Sequence, residues 1–199
     1  MASNGAIAAT LAPPPPPARP RVMVVGSTLA AAASVMFFMG LVGIYLALRA
    51  DSLTQGESWL PDDAVISLVP ANMLMLTMLI STVPALWAVQ ALGRGDRQHA
   101  YLALGVTLLL AVAFINQSTY LLATSGLTVS TTSGLLIFAI VGGHLVMTVV
   151  GLLFFAVAAF RALSGQYRRI ADGPAAATVY WFATVAVFAV IWYAVYVTK

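Results

Sequence analysis

Four long segments of this chain contain no Asp, Glu, Lys or Arg. They cover residues 22–48, 64–93, 98–160 and 173–198. A helix that spans a bilayer needs about 20 mostly apolar residues, so the 98–160 segment is long enough to cross twice and each of the others once. Only 8% of all residues are charged, whereas a soluble domain has about a quarter. The chain is therefore expected to fold with lipid as its solvent.

These segments predict an all-α integral membrane protein, a bundle of five transmembrane helices. The spans are expected near residues 22–48, 66–92, 100–124, 134–160 and 175–197. Helices are favoured over barrel strands because the apolar runs are continuous and do not alternate with polar residues. Residues 22–199 are predicted to form the membrane domain. Residues 1–21, with consecutive prolines at 13–17, are predicted to be a disordered, Pro-rich cytoplasmic tail.

The positions of the basic residues predict the orientation. Those expected on one side of the membrane are Arg19, Arg21, Arg94, Arg97, Arg161, Arg168 and Arg169. The other side has only Arg49 and Lys199. The positive-inside rule then places the N-terminus in the cytoplasm and the C-terminus outside. Because the basic residues lie at helix ends, the pI of 9.5 is not interpreted as nucleic-acid binding.

Few side chains offer chemistry inside the membrane. The chain has no cysteine, which excludes thiolate-bridged copper, iron–sulfur clusters and covalent haem attachment. His99 and His144 are expected at different depths and so cannot share one haem. An intramembrane histidine is a functional-site hypothesis by default. For His144 we favour a neutral imidazole hydrogen-bonded to another helix, with Asn116 and Gln117 as candidate partners.

Several short motifs resemble a known family when taken in order. They are residues 34–40 (SVMFFMG), Tyr45, Arg49, Gln117, residues 144–147 (HLVM) with Gly151, the pair Tyr180 and Trp181, and Tyr196. The set resembles subunit III of the haem–copper cytochrome c oxidases, in the short five-helix bacterial form. The resemblance runs from about Arg21 to Lys199.

The departures from the family pattern concern its ionisable groups. Ser34 stands where the family has a membrane Glu, Tyr120 where it has a second Glu, and Met147 where it has a second His. The resemblance therefore implies a scaffold and lipid-binding role and puts proton delivery in doubt. No catalytic, cofactor-binding or metal-binding residue is expected. The candidates for structural or lipid-cleft contacts are Ser34, Arg49, Asn116, Gln117, His144 and Trp181.

The resemblance implies a multi-pass subunit of an aerobic respiratory oxidase in a bacterial plasma membrane. It would have no redox centre of its own, with haem and copper held by partner subunits. The expected partners are the catalytic subunit I, subunit II and phospholipids, within a larger respiratory supercomplex where one forms. Its role would be to stabilise the catalytic core.

Two other functions remain open at this stage. The first is an accessory membrane subunit of a nitric oxide reductase, for which the missing carboxylates are no obstacle. The second is a small membrane transporter or channel, although transport usually needs polar groups or discontinuous helices near the midplane. The haems that co-purify with the chain would distinguish a nitric oxide reductase from a cytochrome c oxidase. A flux assay on the isolated chain would detect transport.

Overall fold

The computed structural model describes residues 21–166 and 172–198. Every regular element in these ranges is helical, and five of the helices are long and apolar enough to span a membrane. They are α1 (Val22–Thr54), α2 (Leu68–Gly93), α3 (Arg97–Ala123), α4 (Thr132–Leu163) and α5 (Asp172–Ile191), which continues into a π-helical segment, Trp192–Val197. The predicted five-helix fold is confirmed. The predicted tail lies outside the described residues, apart from Arg21.

Local sequence explains where the helices begin and end. The Asp96 side chain accepts a hydrogen bond from the backbone N–H of His99 at 3.2 Å and so caps the start of α3. Just before it, Gly95 adopts a positive φ of 75°, which glycine reaches without steric cost. This turn lets the backbone N–H of Asp96 donate to the carbonyl of Ala91 at 2.9 Å. The connection is short, so α2 and α3 are antiparallel neighbours.

Four of the helices form a closed ring. α2 packs against α3, α3 against α4, α4 against α5, and α5 against α2. The first helix lies outside this ring and packs mainly on α5, with a smaller contact to α4. As a result α5 is the most buried of the five helices and α1 the least buried.

Polar contacts attach α1 to α5 near both ends of the two helices. Ser27 Oγ donates to the backbone carbonyl of Ala176 at 2.5 Å. Near the far end, the Arg49 guanidinium donates to the backbone carbonyl of Thr198. The N-terminal parts of the two helices are therefore in contact, and so are their C-terminal ends. It follows that α1 and α5 run parallel.

Candidate functional site

His144 lies at the centre of the bundle, where three other helices surround it. Its side chain is 1% exposed. The imidazole packs against Phe38 of α1, Phe114 of α3 and Phe188 of α5, with ring centroids 5.2–6.1 Å away. One polar ring therefore sits inside an aromatic shell contributed by α1, α3 and α5.

The hydrogen bond of His144 goes to the backbone of α5. Its Nε2 lies 3.0 Å from the carbonyl oxygen of Thr184. Because a carbonyl only accepts, Nε2 must carry the hydrogen. The interpretation of a hydrogen bond to another helix is confirmed. The predicted partners Asn116 and Gln117 are wrong, because their side chains belong to a groove between α2 and α3.

Trp181 connects α5 to α2. The indole is fully buried, and its Nε1 donates to Ser81 Oγ at 2.8 Å. Ser81 in turn donates to the carbonyl oxygen of Met78 at 2.6 Å. Both polar groups are thus satisfied inside the bundle, where an unpaired donor would cost free energy. Trp181 therefore links α5 to α2 through a buried side-chain hydrogen bond.

The same indole also fixes the distance between α4 and α5. A Cβ atom on Gly151 would lie 2.9 Å from Cε3 of Trp181, closer than non-bonded carbons approach. Phe155, one turn further along α4, meets the indole edge-on at a centroid distance of 5.8 Å. Glycine at 151 therefore permits the close approach of the two helices.

Ser34 and Arg49 occupy the two remaining predicted positions on α1. Ser34 is partly exposed, and its hydroxyl donates to Ala30 of the same helix at 2.9 Å. Arg49 is also partly buried and contacts the carbonyl of Thr198. Its Nε is buried without a hydrogen-bond partner among the described residues. Ser34 therefore makes no hydrogen bond to another described helix, whereas Arg49 joins α1 to the end of α5.

An apolar groove opens between α1 and α4, with the start of α5 as its floor. We call it the α1–α4 groove. Its volume is about 400 Å³. The residues that line it are Met23, Gly26, Ser27, Ala30, Phe154, Val157, Ala158, Arg161, Gly173, Ala176 and Ala177. Arg161, in the last turn of α4, is the one charged side chain in this lining.

A second groove, of about 560 Å³, lies between α2 and α3. We call it the α2–α3 groove. It is lined by Val69, Pro70, Met73, Thr77, Ala113, Asn116 and Gln117. Asn116 is exposed and Gln117 is partly exposed. The two grooves lie on different faces, so the structure separates Asn116 and Gln117 from both His144 and Arg161.

No cluster in the described part of the chain resembles a metal centre. Within residues 21–166 and 172–198, no three His, Asp or Glu side chains come close enough to hold a metal ion together. A wide cavity of about 620 Å³ opens beside the loop after α1, and Asp51, Glu57 and Asp62 line it. Its remaining lining includes Trp59 and several hydroxyl-bearing residues, but no histidine.

Sequence reasoning missed several residues that build these sites. Thr184 contributes a backbone carbonyl, which no side-chain pattern reveals. Ser81 and Ser27 are single small polar residues in apolar runs, a signal that was present but weak. Arg161 was counted only as a topology marker, although its position at the end of a span also allows contact with a lipid head group.

The membrane-spanning part of the chain matches a known protein family. The family model described as cytochrome c oxidase subunit III matches residues 18–199. This range includes all five helices. No curated protein matches the chain.

Proposed function

The chain belongs to the cytochrome c oxidase subunit III family, and from this premise we propose that it is a non-catalytic subunit that stabilises the oxidase core and retains phospholipid. It associates with a haem–copper oxidase complex. Its direct partners are the catalytic subunit I and subunit II, which hold the haem and copper. The complex resides in a bacterial plasma membrane, with this chain's N-terminus in the cytoplasm and its C-terminus outside.

The α1–α4 groove is the observation that carries the lipid-binding proposal. Its walls are almost entirely apolar, and the Arg161 guanidinium stands at one end. A phospholipid has the matching shape and charge, an acyl chain below an anionic phosphate. Arginine binds phosphate through several directed N–H groups. The proposed occupant is therefore one phospholipid with its chain along α1 and α4 and its phosphate at Arg161.

The predicted orientation of the chain favours an anionic lipid at this position. Arg161 lies at the end of α4 that the positive-inside rule assigns to the cytoplasm. The cytoplasmic leaflet carries anionic lipids that attract basic side chains near the surface. Arg21 lies at the same end and contacts Asp172 at 3.8 Å, so it is less available than Arg161. Among the described residues that line the groove, Arg161 is thus the one cation, and it forms no ion pair with another described residue.

The buried polar groups support a scaffold role for the rest of the bundle. His144 is bonded to Thr184, and Trp181 to Ser81. The four charge-free segments contain no carboxylate. A proton relay needs a chain of groups that exchange protons, and His144 is the one titratable imidazole at this depth. These contacts hold helices together, which is how we propose the subunit stabilises the complex.

A pair of glycine substitutions on α1 tests the lipid site. A Cβ at Gly26 or at Gly40 meets no neighbouring atom within 4 Å, so both positions have open space beside the backbone for a larger side chain. Of these two glycines, only Gly26 lines the α1–α4 groove. We expect Gly26→Leu to reduce the phospholipid retained by the purified oxidase and to shorten its working life during turnover. Gly40→Leu is the matched control and should change neither.

Mass spectrometry of bound lipids and the decay of oxygen consumption are the two measurements. Equal lipid retention in both variants would contradict the proposed site. The optical spectrum of the same preparation identifies the haems of the partner subunits. Haems of a nitric oxide reductase, or substrate flux through the isolated chain in proteoliposomes, would overturn the proposed oxidase role.

A further inference from the structure

Two amide side chains in the α2–α3 groove have no hydrogen-bond partner in the part of the chain that the structure describes. Asn116 is exposed, Gln117 is partly exposed, and neither side chain forms a hydrogen bond with any residue in the ranges 21–166 and 172–198. The other polar side chain of the groove differs, because Thr77 donates to the carbonyl of Met73 at 2.8 Å. Asn116 and Gln117 therefore present unused donors and acceptors on the outside of the bundle.

With α3 centred on the bilayer, its length places these amides in hydrocarbon. α3 has 27 residues and is about 40 Å long at 1.5 Å per residue. The hydrocarbon core is about 30 Å thick, so a centred α3 extends about 5 Å beyond it at each end. Asn116 precedes Ala123, the last residue of α3, by about 10 Å of helix. Its amide is therefore about 5 Å inside the hydrocarbon.

Acyl chains have no group that can form a hydrogen bond with an amide side chain. An amide without a hydrogen-bond partner in hydrocarbon costs free energy. Polar residues within transmembrane segments almost always face protein or a water-filled cavity. Resting on the proposed function, we propose that the α2–α3 groove is where a transmembrane helix of the catalytic oxidase subunit docks. A polar side chain of that helix hydrogen-bonds with Asn116 and Gln117.

The lining of the groove specifies the chemistry of this helix. Neither α2 nor the part of α3 after Arg97 contains Asp, Glu, Lys or Arg, and the residues that line the groove offer no counter-ion for a charged side chain. Asparagine and glutamine amides both donate and accept, which suits a hydroxyl or amide partner. Ala113, one turn before Asn116, is small and exposed, and a small residue lets a second helix approach closely.

The two grooves differ in what they can accept. In the α1–α4 groove the charged group stands at the end of a helix, where a lipid phosphate resides. In the α2–α3 groove the polar groups lie among apolar residues inside the hydrocarbon, below the level of phosphates. A phospholipid would leave Asn116 and Gln117 facing its acyl chain. The hydrogen-bonding pattern therefore favours a protein helix over lipid.

Site-directed cross-linking in the intact oxidase tests the docking surface. Since the chain has no cysteine, Ala113→Cys introduces a unique thiol on this chain for a photoactivated cross-linker. Val146→Cys on α4 is the matched control, because Val146 is 64% exposed and lies outside both grooves. We expect Ala113→Cys to cross-link the haem-containing catalytic subunit and Val146→Cys not to. Cross-linking of a second copy of this chain, or of lipid alone, would overturn the proposal.

A substitution experiment measures the contribution of the amides. Asn116→Leu combined with Gln117→Leu should weaken the association with the catalytic subunit about fivefold to tenfold, the factor expected for two membrane hydrogen bonds of average strength. The measurement is the amount of catalytic subunit that co-purifies as detergent is raised. Val146→Leu with Val149→Leu, also exposed on α4, is the control and should leave it unchanged. Unchanged retention in the amide variant would refute this inference alone. If the unaltered chain co-purifies with no haem protein, the proposed function itself fails.

Discussion

A methyl group added at Gly151 should loosen the contact between α4 and α5. The new Cβ would lie 2.9 Å from Cε3 and 3.2 Å from Cζ3 of Trp181, where carbon atoms prefer about 3.5–4.0 Å. The indole cannot easily retreat, because its Nε1 is bonded to Ser81 at 2.8 Å and Phe155 meets it edge-on. Overpacking of this kind costs about 1–3 kcal/mol. Gly151→Ala should destabilise the chain by that amount, less any gain in helix propensity.

Gly142→Ala on the same helix is the matched control. A Cβ at Gly142 meets no atom within 4 Å, so this variant carries the same change in helix propensity without the clash. The difference in unfolding free energy between the two variants should be about 1–3 kcal/mol. It can be measured by detergent-induced unfolding in mixed micelles, followed by far-UV circular dichroism. Adding Trp181→Phe should recover part of the loss, and equal stability of the two alanine variants would refute the reasoning.

Three further predictions concern other polar groups. In a double-mutant cycle of Trp181→Phe and Ser81→Ala, unfolding should give a coupling of about 0.6 kcal/mol, with about 1.7 as the upper bound. His144→Ala empties an aromatic shell and should cost about 2–5 kcal/mol in the same assay; a smaller loss would show that the shell collapses. The backbone N–H of His99 lowers the pKa of Asp96 below its usual value of 3.8, so its contribution to stability is present above that value and is lost as the pH falls through the lowered pKa. Asp96→Ala should remove that part of the pH dependence of thermal unfolding.

The number and type of helices could be predicted from the sequence because the bilayer imposes them. A run of about 20 apolar residues without charge has one stable way to satisfy its backbone in hydrocarbon, which is a helix. The ends of the helices carry local signals as well, such as Asp96 at the start of α3 and Gly95 before it. These features need only neighbouring residues, so they can be read without knowing the fold.

The candidate site could be predicted only in part. His144 was identified as an intramembrane histidine and Trp181 as a candidate structural or lipid-cleft contact, and the side chain of each is buried and hydrogen-bonded to another helix. The partners assigned to His144 were wrong, because similar depth does not determine which faces meet. Its actual partner is the carbonyl of Thr184, an atom that every residue has. Side-chain patterns cannot single out such a group.

By itself the sequence determined that this protein lies in a membrane, crosses it with five helices, and resembles subunit III of the haem–copper oxidases. Tertiary structure alone decided which helix faces meet. Phe37 is 60% exposed, whereas its neighbour Phe38 is 3% exposed, and nothing in their chemistry separates them. In water the apolar face of a helix marks the core, but lipid tails are as apolar as the core, so this contrast disappears. Close packing and a few interhelical hydrogen bonds then select the arrangement.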